Sequence, residues 1–540
     1  MGYSEAKCRL CGISFNIGRI RKAGEPRSDG WQSTGDSNTK YDEDDEDDED
    51  DLDYVYESAE EDDYEFESDV ELLGPLSEGD ADVETNNDED EYWPDHIIGN
   101  PPWGQIQGPV PGHDPEELLP LDTYKGEEKE RGLHSPRPEF MYEHIAGPNC
   151  QDYQGYNGNL ISVEEMRGCN TLQCLMWKND DWQAEPDDME FELSSRCFLT
   201  GISDHMPSRD VGGLIVIPAR HGEKCPWADD VTWHHTLDME YGMPFHPTCF
   251  DVFMHLSKLH FGRVDINGLM QWYKLEGEYE EVHNFPRAEG VHESGEQWWA
   301  HSRGLEYFAA NPLFIPHLLP ILRSAIHMEP SFNQQIGAFS VLESTLTSPG
   351  LSTDLFNTLP QELILDILFY LPSRSIANLR LASRAFRQLP ISVFRTLLMD
   401  EMPFLWEVYD SSPPFYWSTF TASTLQAEKA ARERIDKEVS FYRSIIEEEM
   451  PELHEMWCQA LHQLIDERPD PRVECYARAL KEEICELPRE NTNWYEVYVG
   501  ITRNWANLKG LWNRRRIWKD VEEVCTRIKR YYEEGKIVDL

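Results

Sequence analysis

Four side chains in this sequence have the types and local spacing of a thiolate–imidazole metal site. They are Cys8 and Cys11 in CRLCG, and His246 and Cys249 in HPTC. Zinc bound by sulfur and imidazole takes four ligands in tetrahedral array. Gly12 lets the chain turn tightly after Cys11, so that backbone amides face the sulfurs. Pro247 suits the first turn of a helix, which FDVFMHL would continue. More than 230 residues separate the two halves. Loop closure grows only logarithmically, so that length adds roughly a few kcal/mol. Structural zinc contributes roughly 10–16 kcal/mol in small modules, so the pairing is permitted and one structural zinc ion is expected. A competing site could be drawn from Cys150, Cys169 and Cys174, with Cys197, His221 and Cys225 further on. Burial as small hydrophobes is the usual fate of free cysteine. A knuckle followed by a ligand pair at a helix start resembles the layout of treble-clef zinc modules.

Other chemistry is poorly supported. HEMW at 454–457 and HESGEQ at 292–297 lack the second histidine of a zincin. WHH at 233–235 reads as surface or core histidine. There is no Walker loop, GxGxxG or GxSxG. No catalytic residue is named, and the chain reads as non-enzymatic.

The elements that must position these residues are unevenly distributed. The formal charge is −54, and residues 41–91 hold 28 acidic side chains. No Lys or Arg occurs from Tyr41 to Tyr124. Such dense like charge repels and buries nothing, so residues 32–139 are expected to be a disordered acidic insert and linker. An acidic chain lacks the basic footprint of sequence-independent nucleic-acid binding. No run of 18 apolar residues suggests a membrane span. The N-terminus has no apolar signal core, so a reducing cytoplasmic or nuclear setting is expected for the cysteines. Residues 1–31 with 140–270 read as one discontinuous module. Strand-like runs FELSSRCFLTG and GGLIVIPAR precede its helix. Residues 271–350 read as a helical connector, with proline limiting helix length. Residues 396–540 read as a helical C-terminal region. There, Ile517, Val521, Val524 and Ile528 recur at amphipathic spacing within an otherwise basic, aromatic stretch. The expected fold is α-rich, multidomain α+β.

The most informative stretch is LFNTLPQELILDILFYLPSRSIANLRLASRAFRQLP, within 355–395. Thr358 is a plausible N-cap, with Pro360 in the first turn. Leu363, Ile367, Tyr370 and Leu371, with Ile364 and Leu368, make a helix apolar over more than half its circumference. Pro372 stops it, and Ser373 or Ser375 would cap a second helix carrying Ile376 and Leu379. Three such short helices bury too little to be stable alone, so a surplus apolar face needs a cover.

This stretch resembles an F-box. The matching positions are Leu359, Pro360, Glu362, Leu363, Ile367, Leu371, Pro372, Leu379, Leu381, Ser383, Arg384 and Phe386. Phe386 stands where tryptophan is common. The phrases HIAGPNC, GYNGNLISVEEMRGCNTLQCL and MPFHPTCF add a likeness to fungal F-box proteins. The resemblance implies a three-helix cassette that docks into the Skp adaptor and through it reaches a cullin–RING ubiquitin ligase. Leu359, Pro360, Leu363, Ile367 and Leu371 would then be adaptor contacts. Leu379, Leu381, Phe386 and Leu389 would form the cassette core. The implied role is substrate receptor of an SCF-type ligase, for a target protein the sequence does not name. A zinc-dependent chromatin or nucleic-acid module, or an F-box scaffold acting outside ubiquitination, are the rival expectations.

Overall fold

The computed structural model describes residues 7–31, 118–120, 142–151, 155–178, 182–184, 188–203, 214–218, 230–234, 242–276, 285–292, 301–335, 337–339, 354–422, a few positions of 424–447, 471–482 and 485–538. All of these belong to one compact unit, formed by residues 1–33 and 101–540. The acidic stretch expected to be disordered lies outside the described residues. Of residues 32–139, Leu118–Pro120 is described. It forms a strand, so this piece of the expected linker pairs with Tyr142–His144.

In chain order the strands are β1 (Arg19–Ile20), β2 (Leu118–Pro120), β3 (Tyr142–His144), β4 (Tyr156–Asn157), β5 (Leu172–Trp177), β6 (Cys197–Ser203), β7 (Leu214–Pro218), β8 (Asp230–His234) and β9 (Met243–Phe245). They form four small sheets. β1 pairs parallel with β4, and β2 antiparallel with β3. β5 is central to an antiparallel β6-β5-β9 sheet, and β7 pairs with β8. The α-helices are α1 (Glu190–Ser194), α2 (Pro247–Phe261), α3 (Ile266–Glu276), α4 (Glu289–His292), α5 (Leu318–Ser324), α6 (Gln361–Phe369), α7 (Ser373–Ala382), α8 (Ile391–Glu401), α9 (Pro471–Glu482), α10 (Trp494–Asn504) and α11 (Lys509–Glu533). The α-rich, α+β character expected from the sequence is present.

Residues Phe191–Ser194, expected as the start of a strand, are helical, within Glu190–Ser194. The Glu192 carboxylate explains why: it accepts from the Met189 amide at 2.7 Å and from Leu199 at 2.8 Å, closing a turn ahead of β6. α2 follows its sequence signals, with Pro247 in the first turn and Gly262 at φ 70° ending it. In α11, Ile517, Val521, Val524 and Ile528 are all fully buried, as their spacing required.

One hydrophobic core runs from Cys8 to Ile537 and draws on the N-terminal module, the connector, the cassette and the C-terminal region. α11 packs along α2 and α3, so the end of the chain closes over the module its beginning starts. Near the N-terminus, Arg19 is fully buried. Its guanidinium meets both Glu25 oxygens at 2.9 Å and donates to the carbonyls of Asp29 and Ile161. A buried guanidinium is tolerated only when its donors are answered in this way.

Candidate metal centre and docking surface

Cys8, Cys11, His246 and Cys249 converge. Their ligand atoms all lie within 4.8 Å of one another, and all four residues are buried. The knuckle closes through hydrogen bonds from the Cys8 amide to the Ile13 carbonyl (2.9 Å) and from Gly12 to Cys8 (2.8 Å). Gly12 takes φ 75°, and a Cβ there would also meet Arg287 at 2.7 Å. On the other half, the β9–α2 junction presents His246, while Cys249 sits in the first turn of α2. His246 Nδ1 is 3.5 Å from Cys11 Sγ and 3.8 Å from Cys249 Sγ. The His246 amide donates to Cys8 Sγ at 3.4 Å.

These distances suit a tetrahedral ion, since arms of about 2.3 Å set sulfur atoms roughly 3.8 Å apart. Electrostatics points the same way. Burial alone would lower the His246 pKa, but the Cys8 and Cys11 sulfurs pull it up to about 10. Burial pushes the Cys249 thiol up. His246 Nε2 is buried with no hydrogen-bond partner among the described residues, and the Phe15 ring packs 4.5 Å away. The imidazole is thus oriented by what its Nδ1 faces, not by a bond on its far nitrogen. A cation at the centre would answer that electron-rich field. The residues present fit a metal.

The support comes from far along the chain. Arg516 of α11 donates to the Cys11 carbonyl at 2.7 Å, across 505 residues. Arg287 donates to the carbonyls of Leu10 (2.9 Å) and Arg9 (2.8 Å). Asp520 lies between the two guanidiniums, 3.0 Å from Arg287 and 3.2 Å from Arg516. Burial raises the Asp520 carboxyl to about 6 despite both arginines. Three thiolates around a divalent cation leave one excess negative charge, and two guanidiniums against one carboxylate leave one positive. The buried neighbourhood therefore balances when a divalent ion is bound. Nothing in the sequence marked Arg287, Arg516 or Asp520 as parts of this site. For Arg516 and Asp520 the signal was charge at core-facing helical positions of α11; Arg287, ahead of α4, carried none.

The rival cysteines do not assemble. Cys150 packs with Ile20 and Ala146, Cys174 is buried in β5, and His221 and Cys225 lie outside the described residues. No other group of three potential ligands occurs among the described residues. HEMW also lies outside them.

The 355–395 cassette shows a different chemistry. A 3-10 turn, Leu355–Thr358, precedes α6. α6 starts behind Pro360 with no side-chain cap, so Thr358 does not cap it, and the 3-10 turn ahead of it is capped by Asp354. Its carboxylate accepts from the Ser383 hydroxyl (2.7 Å) and from the amides of Arg384 (2.8 Å), Phe356 and Ala385 (both 3.2 Å). The Ser383 bond, with those amides, holds the Asp354 carboxyl below its ordinary range. Thr358 instead donates its hydroxyl to the Leu355 carbonyl. The α7 N-terminus is capped not by Ser373 or Ser375 but by Glu401 of α8, which accepts from the Ser373 amide at 2.7 Å.

Leu368, Ile376, Phe386 and Leu389 are buried, and Phe356 meets Phe386 edge-on at 5.1 Å. Leu379 is half-buried. Leu381 is not a core residue: it is 89% exposed. It lies two positions beyond Leu379, about 200° round the helix, so the two cannot share a face. Leu355 (81%), Tyr370 (88%) and Leu363 (48%) are exposed with it, while Leu359, Ile367 and Leu371 are half-buried and Pro360 is exposed. The surplus apolar face read from the sequence is present and left uncovered by the described residues.

A family model described as F-box-like matches residues 356–399, so the chain carries an F-box-like domain on this cassette. Over 52 residues the chain is 54% identical to the ATP-dependent RNA helicase mss116, mitochondrial, of Aspergillus oryzae. That stretch is 10% of this chain and 8% of the helicase, so the chain spans under a tenth of that relative's length. No solved structure matches. Among the described residues, no helix is long and apolar enough to cross a membrane.

Proposed function

We propose that this F-box-like protein is a substrate receptor that binds a Skp adaptor and presents a target protein to an SCF-type cullin–RING ubiquitin ligase. One observation carries the reading. The F-box-like match falls on the same cassette whose apolar side chains, Leu363, Tyr370 and Leu381 among them, are left uncovered. Apolar anchors set into a partner's groove are the recognition mode such a face serves. Leu359, Pro360, Leu363, Ile367 and Leu371 are the proposed adaptor contacts. Leu381 moves from the expected core to this contact set. The chain would contribute positioning, with catalysis supplied by other subunits.

The cysteine–histidine cluster is proposed to hold one structural zinc ion, the ion that three sulfurs and one imidazole suit best. Four protein ligands would leave it no open position for substrate. The two arginines beside it are buried and paired with Asp520, so they offer no basic face to a nucleic acid.

Leu359→Ala with Pro360→Ala should abolish adaptor and cullin co-purification while the thermal transition stays in place. Adaptor recovery at the wild-type level would refute the assignment. Adaptor recovered without cullin would support a scaffold outside ubiquitination instead.

A further inference from the structure

The open side of the F-box-like cassette carries charge as well as apolar area, and that charge is unevenly placed. From Ile367 to Met399 the sequence has five arginines and no Asp or Glu, its longest run without an acidic residue. The chain as a whole has 102 acidic residues against 48 basic ones. The cassette's second half therefore opposes in sign the field of the protein that carries it.

Two of the five arginines are engaged within the fold. Arg380 lies over the Phe339 ring, 3.3 Å from its centre, and donates to the Arg387 carbonyl. Arg395 donates to the Val408 carbonyl and faces the Trp494 ring. Arg374, Arg384 and Arg387 are exposed. On α7, Arg374 stands seven positions before Leu381, two turns away and on the same face. Leu381 is itself a proposed adaptor contact. Arg384 is tied by its amide to Asp354, whose chain neighbour is the exposed Leu355. The Asp354 carboxylate is taken up by the Ser383 hydroxyl and by amides, and Arg384 forms no ion pair among the described residues. On α6 the exposed charges are instead Glu362 and Asp366. The α7 side of the cassette is basic and the α6 side acidic.

We infer that the adaptor groove receiving this cassette carries acidic side chains where it meets α7, and that Arg374 and Arg384 steer and orient the encounter. This deepens the receptor reading and rests on it. Apolar burial holds a helix in a groove but does not guide its approach. An acidic partner is repelled by a chain of net charge −54 and attracted locally at the α7 side. Charge thus selects the productive orientation before apolar contact forms, and it acts on the association rate more than on final affinity.

The test is the association rate of the full chain with a purified Skp adaptor, followed by biolayer interferometry at about 0.05 M and about 0.5 M salt, between which surface charges become screened. Arg374→Glu with Arg384→Glu should slow association about tenfold or more at the lower salt, and about twofold or less at the higher. Arg374→Lys with Arg384→Lys keeps the charge and should keep the wild-type rate. Lys519→Glu with Lys529→Glu makes the same change of net charge at exposed positions of α11. It should alter the rate by about twofold or less. An unchanged rate in the arginine reversal, an equal loss at both salt concentrations, or an equal loss in the lysine variant or the α11 reversal would overturn the inference while adaptor binding stands. No binding by wild type would overturn it together with the receptor reading.

Discussion

The cysteine–histidine cluster and the F-box-like cassette are built in opposite ways. The cluster draws on four distant pieces of chain, Cys8–Gly12, His246–Cys249, Arg287 and Arg516–Asp520, and is closed on all sides. The cassette is contiguous, is pinned by local bonds from Asp354, and leaves Leu355, Tyr370 and Leu381 more than four-fifths exposed. A site assembled over long range must satisfy every charge internally, because each buried group left alone is costly. A local cassette can leave its apolar face open, provided a partner covers it. The contrast separates what stabilises the chain from what the chain does.

The sharpest way to break the contrast is to remove a metal ligand. Cys249→Ser, or chelation of the wild type, should abolish metal binding. It should also cost about 5 kcal/mol or more, less than a whole structural zinc contributes in a small module because the surrounding core persists. Elemental analysis with thermal unfolding reads both. Metal content unchanged in Cys249→Ser would show that the ligand set is wrong.

Next comes Arg516→Met, which removes a buried charge and the donor to the Cys11 carbonyl. The expected loss is about 3–5 kcal/mol, as for breaking a buried pair. Metal should still bind but exchange faster to a chelator. An unchanged melting temperature would mean that α11 does not brace the knuckle.

His255, in α2 beyond Cys249, bonds Asp410 in the segment after α8. Burial opposes its protonation, but Asp251 and Asp410 raise its pKa to about 9. The proton is retained on folding, so its contribution is full below about 6.5 and is lost as pH rises through about 9. That amounts to roughly 3 kcal/mol, read as a fall in chemical-denaturation stability over this window. His255→Phe should flatten that part of the profile. An equal slope in the variant would place the titration elsewhere.

How much of this was legible in the sequence follows the same divide. The four ligands were readable because Cys-x-x-Cys and His-x-x-Cys spacings report local geometry. Their bracing was not, because Arg516 and Asp520 look like any charged residues until α11 is seen to point them inward. The cassette was readable almost throughout, since helical period and proline stops are local signals. It misled at Leu381, where the Leu-x-Leu pattern suggested a shared face that a helix cannot provide, and at Thr358, whose hydroxyl turns back to the Leu355 carbonyl while Pro360 opens α6 without a side-chain cap. The turn at Glu190–Ser194 went unread because half of what holds it, the Glu192 bond to Leu199, reaches forward into β6.

The smallest expected effect on stability belongs to the open face. Leu363→Asp with Leu381→Asp changes exposed positions, so unfolding should shift by no more than about 0.5 kcal/mol per site. Binding should respond very differently, as apolar anchors at an interface are worth about 2–4 kcal/mol each. Titration calorimetry of the full chain and this double variant against a purified Skp adaptor tests the central claim most directly. Wild type is predicted to bind, and the double variant to lose at least about 100-fold in affinity with its fold intact. Equal affinity of the two proteins, or no binding by wild type, would contradict the assignment of this face as the adaptor-docking surface.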